Sequence, residues 1–299
     1  MPPIRCPRRL VAGMTAAALA AVAACTHETT APVSSGSTNP ALSLPEASMM
    51  GEAVTADAES ELDGATLSSG TFLPGLAAPI TPFGSGDGLC MPSRSPASPG
   101  NADGDRVPDS VRIAFDCGFA MGREADTVRG TIDIVDPTPA AADRSVKTVF
   151  TDLTSVHVRD DKVRSLVVSG TRETDRDPSV ISQIEKDFKS TYTFPDGITA
   201  SHDRTLNSTF TADAAGSIQP DARLPSGTLS IDGTSTWTHG TNSYALTVST
   251  DPVLHYNASC AERPKFDAGT IKTTVTRNGT TSTVTIAFTA CGQYTVTRS

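Results

Sequence analysis

The stretch 270–288, TIKTTVTRNGTTSTVTIAF, contains two runs of alternating polar and apolar residues on either side of Asn278-Gly279. Both residues of an Asn-Gly pair tolerate the positive φ angles of a type I′ turn, which joins the strands of a β-hairpin with a two-residue loop. Such a loop places Ile271 opposite Ile286. In this register the apolar side chains of both strands share one face, so the stretch predicts an antiparallel hairpin with one buried face.

Similar alternation recurs along the chain after residue 70, in segments rich in Thr and Val that are bounded by Gly, Pro, Asp and Asn. This pattern is typical of antiparallel strands. We therefore predict an all-β fold: a single antiparallel meander domain over residues 71–299, with a curled sheet, a sandwich or a partly open barrel. A membrane-spanning barrel is the alternative, which the aromatic content of 5% disfavours. The predicted strands are 110–117, 127–135, 146–158, 163–171, 184–194, 198–210, 227–238, 244–249, 270–277 and 281–290.

Residues 1–24 are typical of an export signal peptide. Three arginines precede the uncharged segment 10–24, which is too short and too rich in alanine for a membrane-spanning helix. The segment ends in Val22-Ala23-Ala24-Cys25, which resembles the lipobox of bacterial lipoproteins. The resemblance implies that Cys25 becomes the first mature residue and carries a diacylglyceryl group, with a fatty acyl chain such as palmitate on its amine. Ordinary secretion after Ala21-Val22-Ala23 is the alternative.

The expected location is the bacterial cell envelope, with the membrane as a partner through the N-terminal lipid. Thr26 follows Cys25, whereas in the lipoprotein family an Asp at this position commonly signals inner-membrane retention, so the outer membrane is favoured. Residues 25–70 contain no Lys or Arg and are rich in Thr, Ser and Pro, which predicts a disordered linker. A short, marginal helix around residues 46–62 is the alternative within it. Removing the three leader arginines changes the net charge from -9 to -12, which disfavours nucleic acid as a partner. Besides the membrane, we expect an envelope protein or glycan as the partner.

The cysteine count agrees with lipidation. Of six cysteines, one leaves with the leader and Cys25 would be consumed by the lipid, so that an even set remains for an oxidising compartment. The final hairpin lies between Cys260 and Cys291, and its register brings the two close, which favours a disulfide between them. The complementary pair is Cys90 with Cys117. Four cysteines allow three pairings, and the other two stay open.

The segment NADGDRVPDS, residues 101–110, resembles the D-x-D-G-D-G-x-P-D calcium loop of thrombospondin type 3 repeats. Hard cations need several oxygen ligands, which such a loop supplies at alternate positions. Two residues depart from the pattern: Arg106 stands where the family has glycine, and Arg112 stands where a closing carboxylate is common. An Asx-rich turn without metal is the alternative. The resemblance implies structural calcium with side-chain ligands Asn101, Asp103 and Asp105, the Val107 carbonyl, and Asp109 to complete the shell.

The sequence contains no G-x-S-x-G, H-E-x-x-H or P-loop motif. Ser201-His202-Asp203 cannot act as a catalytic relay, because consecutive strand residues point to opposite faces, and we expect His202 at the surface. We therefore predict a non-enzymatic envelope lipoprotein with a β-rich binding or scaffolding domain. One alternative is a hydrolase that uses His157, His202 or His255. The other is a carrier of an apolar ligand, in a cavity lined by Phe188, Tyr192, Phe194 and Phe210.

Overall fold

A computed structural model of the chain describes residues 42–65, 92–121, 123–160, 162–219 and 222–299. In these ranges the chain forms one α-helix, α1 (Leu44–Ala65), and thirteen β-strands. The strands are β1 (Ser93–Ser95), β2 (Ser110–Met121), β3 (Glu124–Val135), β4 (Val146–Arg159), β5 (Lys162–Arg176), β6 (Val180–Thr193), β7 (Thr199–Ala212), β8 (Gly227–His239), β9 (Asn242–Thr250), β10 (Leu254–Tyr256), β11 (Phe266–Arg277), β12 (Thr280–Ala290) and β13 (Gln293–Arg298).

All the strands belong to one antiparallel sheet that follows chain order. β9 and β10 occupy a single position in the sheet, because both pair with β8 on one side and with β11 on the other. Within the described ranges β1 pairs only with β2, and β13 pairs only with β12, so the sheet is open at both edges. The predicted all-β meander is confirmed, and it is a curled open sheet rather than a closed barrel.

Each of the ten predicted strands is present, with the hairpin register that the turn predicted. Ile271 pairs with Ile286, and the turn residues Asn278 and Gly279 have φ angles of 51° and 77°. Positive values at both positions define the type I′ family. The sequence did not predict β1, β10 or β13, which span only three, three and six residues. Segments this short show too little alternation to be recognised.

Bulges bend the sheet where glycine lies against a neighbouring strand. Gly130 (φ 115°) packs against Asp152 (φ 45°) between β3 and β4, and Gly170 (φ 126°) packs against Asp187 (φ 49°) between β5 and β6. The pairing register shifts at both places. A Cβ atom on Gly170 would lie 2.5 Å from the carbonyl oxygen of Asp187. Bulges increase local twist, so their repetition explains why this sheet curls.

The helix α1 corrects the prediction for residues 25–70. We predicted a disordered linker there, with a short helix around residues 46–62 only as a marginal alternative, but residues 44–65 form a helix with one buried face. A capping box starts the helix: the backbone N–H of Ser43 donates to Glu46 Oε2 at 2.8 Å, and the backbone N–H of Glu46 donates to Ser43 Oγ at 3.4 Å. Residues 25–41 and 66–70 of the predicted linker lie outside the described residues. Within the described ranges the helix is α1, and it lacks the apolar stretch that a membrane-spanning helix requires.

The buried face of α1 fills the concave face of the sheet. The helix contacts β6 and β7 on one side and β12 and β13 on the other, so the sheet wraps around it. Gly51 permits a close approach to β13, because a Cβ atom there would lie 2.8 Å from Val296 Cγ2. The folded domain therefore includes residues well before position 71. Side chains spaced three or four apart form the buried stripe: Ala47, Met50, Val54, Ala58 and Leu62.

A second, smaller core lies at the other end of the sheet, on β2, β3 and β4. It continues the same concave face, because the row of paired residues that starts at Ile134 of β3 and Thr148 of β4 reaches Leu206 of the main core through Arg172 of β5 and Glu185 of β6. The acidic loop immediately precedes β2, so this small core positions it. Its buried members are Val111, Ile113, Phe115, Ile132, Ile134 and Phe150.

Candidate metal centre

The loop before β2 is folded around its own polar side chains. Asn101 Oδ1 accepts a hydrogen bond from the backbone N–H of Gly104 at 2.7 Å. Asp103 Oδ1 accepts one from the N–H of Asp105 at 3.1 Å, and Asp105 Oδ1 accepts one from the N–H of Val107 at 2.6 Å. These bonds span two or three residues and define Asx turns. Such turns keep each carboxylate close to the backbone of its own loop.

Asp136, the residue after β3, brings a third carboxylate to this loop. One oxygen from each of Asp103, Asp105 and Asp136 lies within 4.8 Å of the other two. Asp136 is only 3% exposed, and its Oδ2 and the Oδ2 of Asp103 are buried without a hydrogen-bond partner. Buried polar atoms are normally paired, and three clustered carboxylates repel one another. The donor set therefore fits a hard divalent cation such as calcium, which binds carboxylate oxygens.

The electrostatics of Asp105 agree with this assignment. Burial raises the pKa of Asp105, and the neighbouring carboxylates of Asp103 and Asp136 raise it further, against the lowering effect of the Val107 N–H. A bound divalent cation would reverse the effect of the like charges, because an opposite charge favours the ionised carboxylate. The site is also tied to the loop after β3, since Asp105 Oδ2 accepts a hydrogen bond from the N–H of Arg144 at 3.1 Å.

Asp109 does not close this cluster, contrary to the prediction from the calcium-loop resemblance. Its Oδ1 accepts a hydrogen bond from the N–H of Ala102 at 2.9 Å, and it is not among the described acidic side chains that converge. The third carboxylate of the cluster belongs to Asp136 instead. The sequence did not reveal this residue, because only the pairing of β2 with β3 brings position 136 beside the loop. Asn101 and Val107 lie in the loop and stay predicted ligands.

Two arginines that depart from the calcium-loop pattern are compatible with the site. Arg106 has a φ of 79°, so it adopts the left-handed conformation for which the family uses glycine. Arg112 donates to both carboxylate oxygens of Asp133, from Nε at 2.6 Å and from Nη2 at 3.0 Å. The neighbour of Arg112, Val111, points into the small core. Arg112 therefore points to the opposite face of the sheet, away from the three carboxylates of the cluster.

The structure contains a disulfide between Cys260 and Cys291, with a Cα–Cα distance of 5.5 Å, which confirms that prediction. Cys117 is also disulfide-bonded. Its predicted partner, Cys90, lies outside the described residues, as does Cys25, the predicted lipidation site.

A second group of charged residues lies between α1 and the sheet, and we call it the buried charge cluster. Glu185 accepts hydrogen bonds from both Arg172 and Arg204. Arg204 Nη1 also donates to Asp57 Oδ1 at 2.9 Å. In the sequence, neither the periodicity of an amphipathic helix nor the alternation of a strand predicts that these charged residues are buried. The cluster consists of Asp57 and Glu61 of α1, Arg172 of β5, Glu185 of β6 and Arg204 of β7, all under 9% exposed.

Burial and charge act differently on the three carboxyl groups of this cluster. Desolvation raises the pKa of Asp57 to about 7 and that of Glu61 to about 7. Burial would raise the pKa of Glu185 as well, but Arg172 and Arg204 outweigh it and hold that pKa at about 2. Glu185 is therefore the permanent counterion of the two guanidinium groups.

Three of the described histidines, His157, His202 and His255, lie beside carboxylates. His202 is buried, which corrects the expectation of a surface residue, and its ring stacks on Trp237 with centroids 3.7 Å apart. Burial lowers the pKa of His202 to about 3, so its ring is neutral. His157 Nδ1 lies 2.7 Å from Asp126 Oδ1. Among the described residues no histidine is hydrogen-bonded to a serine, which is the contact that a serine hydrolase requires.

The aromatic residues predicted for an apolar cavity have separate environments. Phe210 is 1% exposed and belongs to the main core beneath α1. Phe188 packs edge-on against Phe150 with centroids 5.5 Å apart, and Tyr192 packs against Phe194 with centroids 4.5 Å apart. Phe188, Tyr192 and Phe194 are each half-buried. The core therefore uses Phe210, while the other three keep a partly open face.

Comparisons of the chain with protein-family models, with curated proteins and with solved structures found no match.

Proposed function

We propose that the chain is a non-enzymatic bacterial envelope lipoprotein, lipidated at Cys25 and anchored in the outer membrane, whose β domain binds or scaffolds an envelope protein or glycan. The observation that supports this best is the lipobox Val22-Ala23-Ala24-Cys25, which lies only a short distance in sequence before Leu42, the first described residue, whose side chain is buried in the domain. A fully extended chain spans at most about 3.5 Å per residue. The anchor would therefore hold the domain within roughly 60 Å of the bilayer.

The arrangement of α1 supports a scaffold in preference to a carrier. The helix fills the part of the concave face between β6 and β13 with its own side chains. A partner would then meet the outer face of the sheet, its loops or its two open edges. Edge strands offer unpaired backbone groups to another chain.

Detergent phase separation of the native protein tests the anchor. The expected result is that the wild-type protein enters the detergent phase and that Cys25→Ser stays in the aqueous phase, because the acyl chains supply the apolar surface. Cys6→Ser is the matched control, since this cysteine belongs to the leader, and it should behave like the wild type. A wild-type protein found wholly in the aqueous phase would contradict the proposal.

The proposal includes a structural calcium ion at the cluster of Asp103, Asp105 and Asp136. The unpartnered buried oxygens of Asp103 and Asp136 support it. Asn101 Oδ1 and the Val107 carbonyl are the further ligands that the loop resemblance implies. Calcium would tie the loop before β2 to the end of β3, and so stabilise the end of the sheet farthest from α1.

Calorimetric titration of chelator-treated protein with calcium tests this part of the proposal. Heat of binding is expected for the wild type and should be lost in Asp136→Asn, which weakens a charged ligand. Asp109→Asn is the matched control, because an Asn side chain still accepts the hydrogen bond from Ala102. No binding heat at millimolar calcium, or loss in Asp109→Asn with retention in Asp136→Asn, would contradict the assignment.

An apolar-ligand carrier is the second candidate, and one observation favours it. The concave face of β3, β4 and β5 carries the half-buried residues Val128, Leu153 and Val168, beside the small core. A fluorescent fatty acid probe tests the idea: Val168→Gln should weaken binding, whereas Val167→Gln, on the opposite face of β5, should not. Equal affinities of both variants would count against a site on this face.

A further inference from the structure

The buried charge cluster places three carboxyl groups against two guanidinium groups. Arginine stays protonated at all ordinary pH values, so Arg172 and Arg204 contribute two positive charges. Asp57, Glu61 and Glu185 contribute three negative charges when all are ionised. Because all five residues are buried, a net charge here is costly. The cluster is electrically neutral only when it holds one proton.

The contacts of α1 indicate where that proton resides. Asp57 and Glu61 are one helical turn apart on the face of α1 that meets the sheet. Glu61 Oε2 accepts a hydrogen bond from Ser208 Oγ at 2.7 Å, but its Oε1 is buried without a partner. An ionised Glu61 would leave a charged oxygen without a donor. Asp57 Oδ1 is bound by Arg204, and its Oδ2 lies 3.4 Å from His202 Nε2.

The other charged groups that face α1 do not remove this imbalance. His202 of β7 has a neutral ring. The first turn of the helix is held separately by Glu46, whose Oε1 accepts hydrogen bonds from Arg277 Nη1 at 2.6 Å and from the Tyr244 hydroxyl at 3.0 Å. Arg298 of β13 donates to the carbonyl oxygen of Leu42. Arg263 Nη1 lies 3.7 Å from Glu59 Oε2 on another face of the helix. Burial and the charges of Glu52 and Glu59 raise the pKa of Tyr294 of β13, so its hydroxyl stays neutral.

We propose that α1 is an acid-tightened clasp: the buried charge cluster takes up one proton, on Asp57 or Glu61, when α1 docks against the sheet, and loses it when α1 is released. The two carboxyl groups share the proton, so the titration belongs to the pair. This inference does not depend on the lipid anchor or on calcium.

The sign of the pH dependence follows from the difference between the docked and the released helix. Exposed carboxyl groups titrate near pH 4, whereas burial raises the pKa of Asp57 and that of Glu61 to about 7, so the docked pair loses its one shared proton near that pH. Between these values release of α1 also releases a proton, so docking is favoured at low pH and weakens as pH rises. For one proton the release equilibrium constant grows about tenfold per pH unit, and it levels off above about pH 7.

Native-state hydrogen exchange of the full chain, followed by mass spectrometry between pH 5 and pH 8, tests the clasp. After correction for intrinsic exchange rates, protection of the α1 amides should fall about tenfold per pH unit up to about pH 7 and then level off. The amides of β11 and β12 should change much less. A flat wild-type profile, or the same slope in α1 and in the β11–β12 hairpin, would overturn the proposal.

Two neutral variants identify the titrating pair. Asp57→Asn and Glu61→Gln remove one acid each without changing shape, and at least one of them should flatten the α1 profile. Glu52→Gln is the matched control, because Glu52 lies on the exposed face of the same helix, and it should keep the wild-type slope. An unchanged slope in both cluster variants would overturn the assignment. If neither variant folds, the proposal is still tested by the wild type, through the pH dependence of amide protection in α1 compared with that in β11 and β12.

Discussion

Arg204 of β7 donates a hydrogen bond to Asp57 of α1 at 2.9 Å, although the two residues are 147 positions apart in the sequence. This ion pair joins a segment that resembles a linker in composition to the middle of the sheet. It also continues to Glu185, which binds Arg204 and Arg172. The N-terminal helix is therefore an integral part of the β domain.

Removal of Arg204 should strongly destabilise the domain. Arg204→Met leaves Asp57 without its guanidinium partner and Glu185 with only one, and breaking a buried ion pair in this way costs about 3 to 5 kcal/mol. Denaturant unfolding measures the change. Arg129→Met is the control, since its ion pair with Asp116 is exposed on both sides, and its effect should stay within about 0.5 kcal/mol. Similar values for the two variants would show that the buried contact contributes little.

Curvature of the sheet should depend on glycine at the bulges. Gly170→Ala places a methyl group against the backbone of Asp187 and in a left-handed conformation, so we expect a loss of more than about 2 kcal/mol in unfolding free energy. Gly197→Ala is the matched control: its φ is 83°, but nothing lies within 4 Å of the added atom. It should cost only about 1 kcal/mol. Equal losses would mean that close packing at the bulge is unimportant.

His255 should make the stability of the domain depend on pH near neutrality. Its Nδ1 lies 2.6 Å from Asp267 Oδ1 and its Nε2 lies 3.1 Å from Asp213 Oδ2, and these contacts raise the pKa of His255 above 6.5. A raised histidine pKa stabilises the fold below the unfolded value and loses that effect as pH rises through the folded value. His255→Gln should therefore lower the unfolding free energy at pH 5.5 more than at pH 8.5. An equal effect at both pH values would exclude the charged pairs as the cause.

The Cys260–Cys291 disulfide should stabilise the end of the meander. It closes a loop of 31 residues, for which the chain-entropy relation gives about 3.7 kcal/mol. The double variant Cys260→Ser/Cys291→Ser should show this loss in chemical denaturation under non-reducing conditions. Addition of a reductant should lower the unfolding free energy of the wild type toward that of the double variant. In the variant, a reductant should act only through the second disulfide, at Cys117. A double variant as stable as the wild type would contradict the expected contribution.

The sequence predicts most of the sheet because each long strand carries its own alternation and each hairpin its own turn. Asn278-Gly279 determines the β11–β12 register without reference to the rest of the chain. The helix gives a weaker signal: two members of its buried stripe, Ala47 and Ala58, are alanines, and the buried Asp57 and Glu61 interrupt the apolar face. Their counterions lie on strands more than a hundred positions later, so no local pattern reveals that these acids are buried.

In the metal cluster, likewise, two carboxylates are indicated by the local sequence of the loop, whereas the third depends on the pairing of distant strands. The spacing of Asp103 and Asp105 indicates a calcium loop, because their Asx turns are formed within a few residues. Asp136 belongs to the site through the pairing of β2 with β3. The strands are joined by a two-residue connection, since Met121 pairs with Glu124, but no turn was recognised there in the sequence, so the third carboxylate was found only from the structure.

Mass spectrometry of the N-terminal peptide of the mature protein tests the central proposal most directly. The account predicts that the mature chain begins at Cys25, with a diacylglyceryl group on the sulfur and an acyl chain on the amine, and that Cys25→Ser lacks both. An unmodified wild-type peptide that begins at or before Cys25 would contradict it.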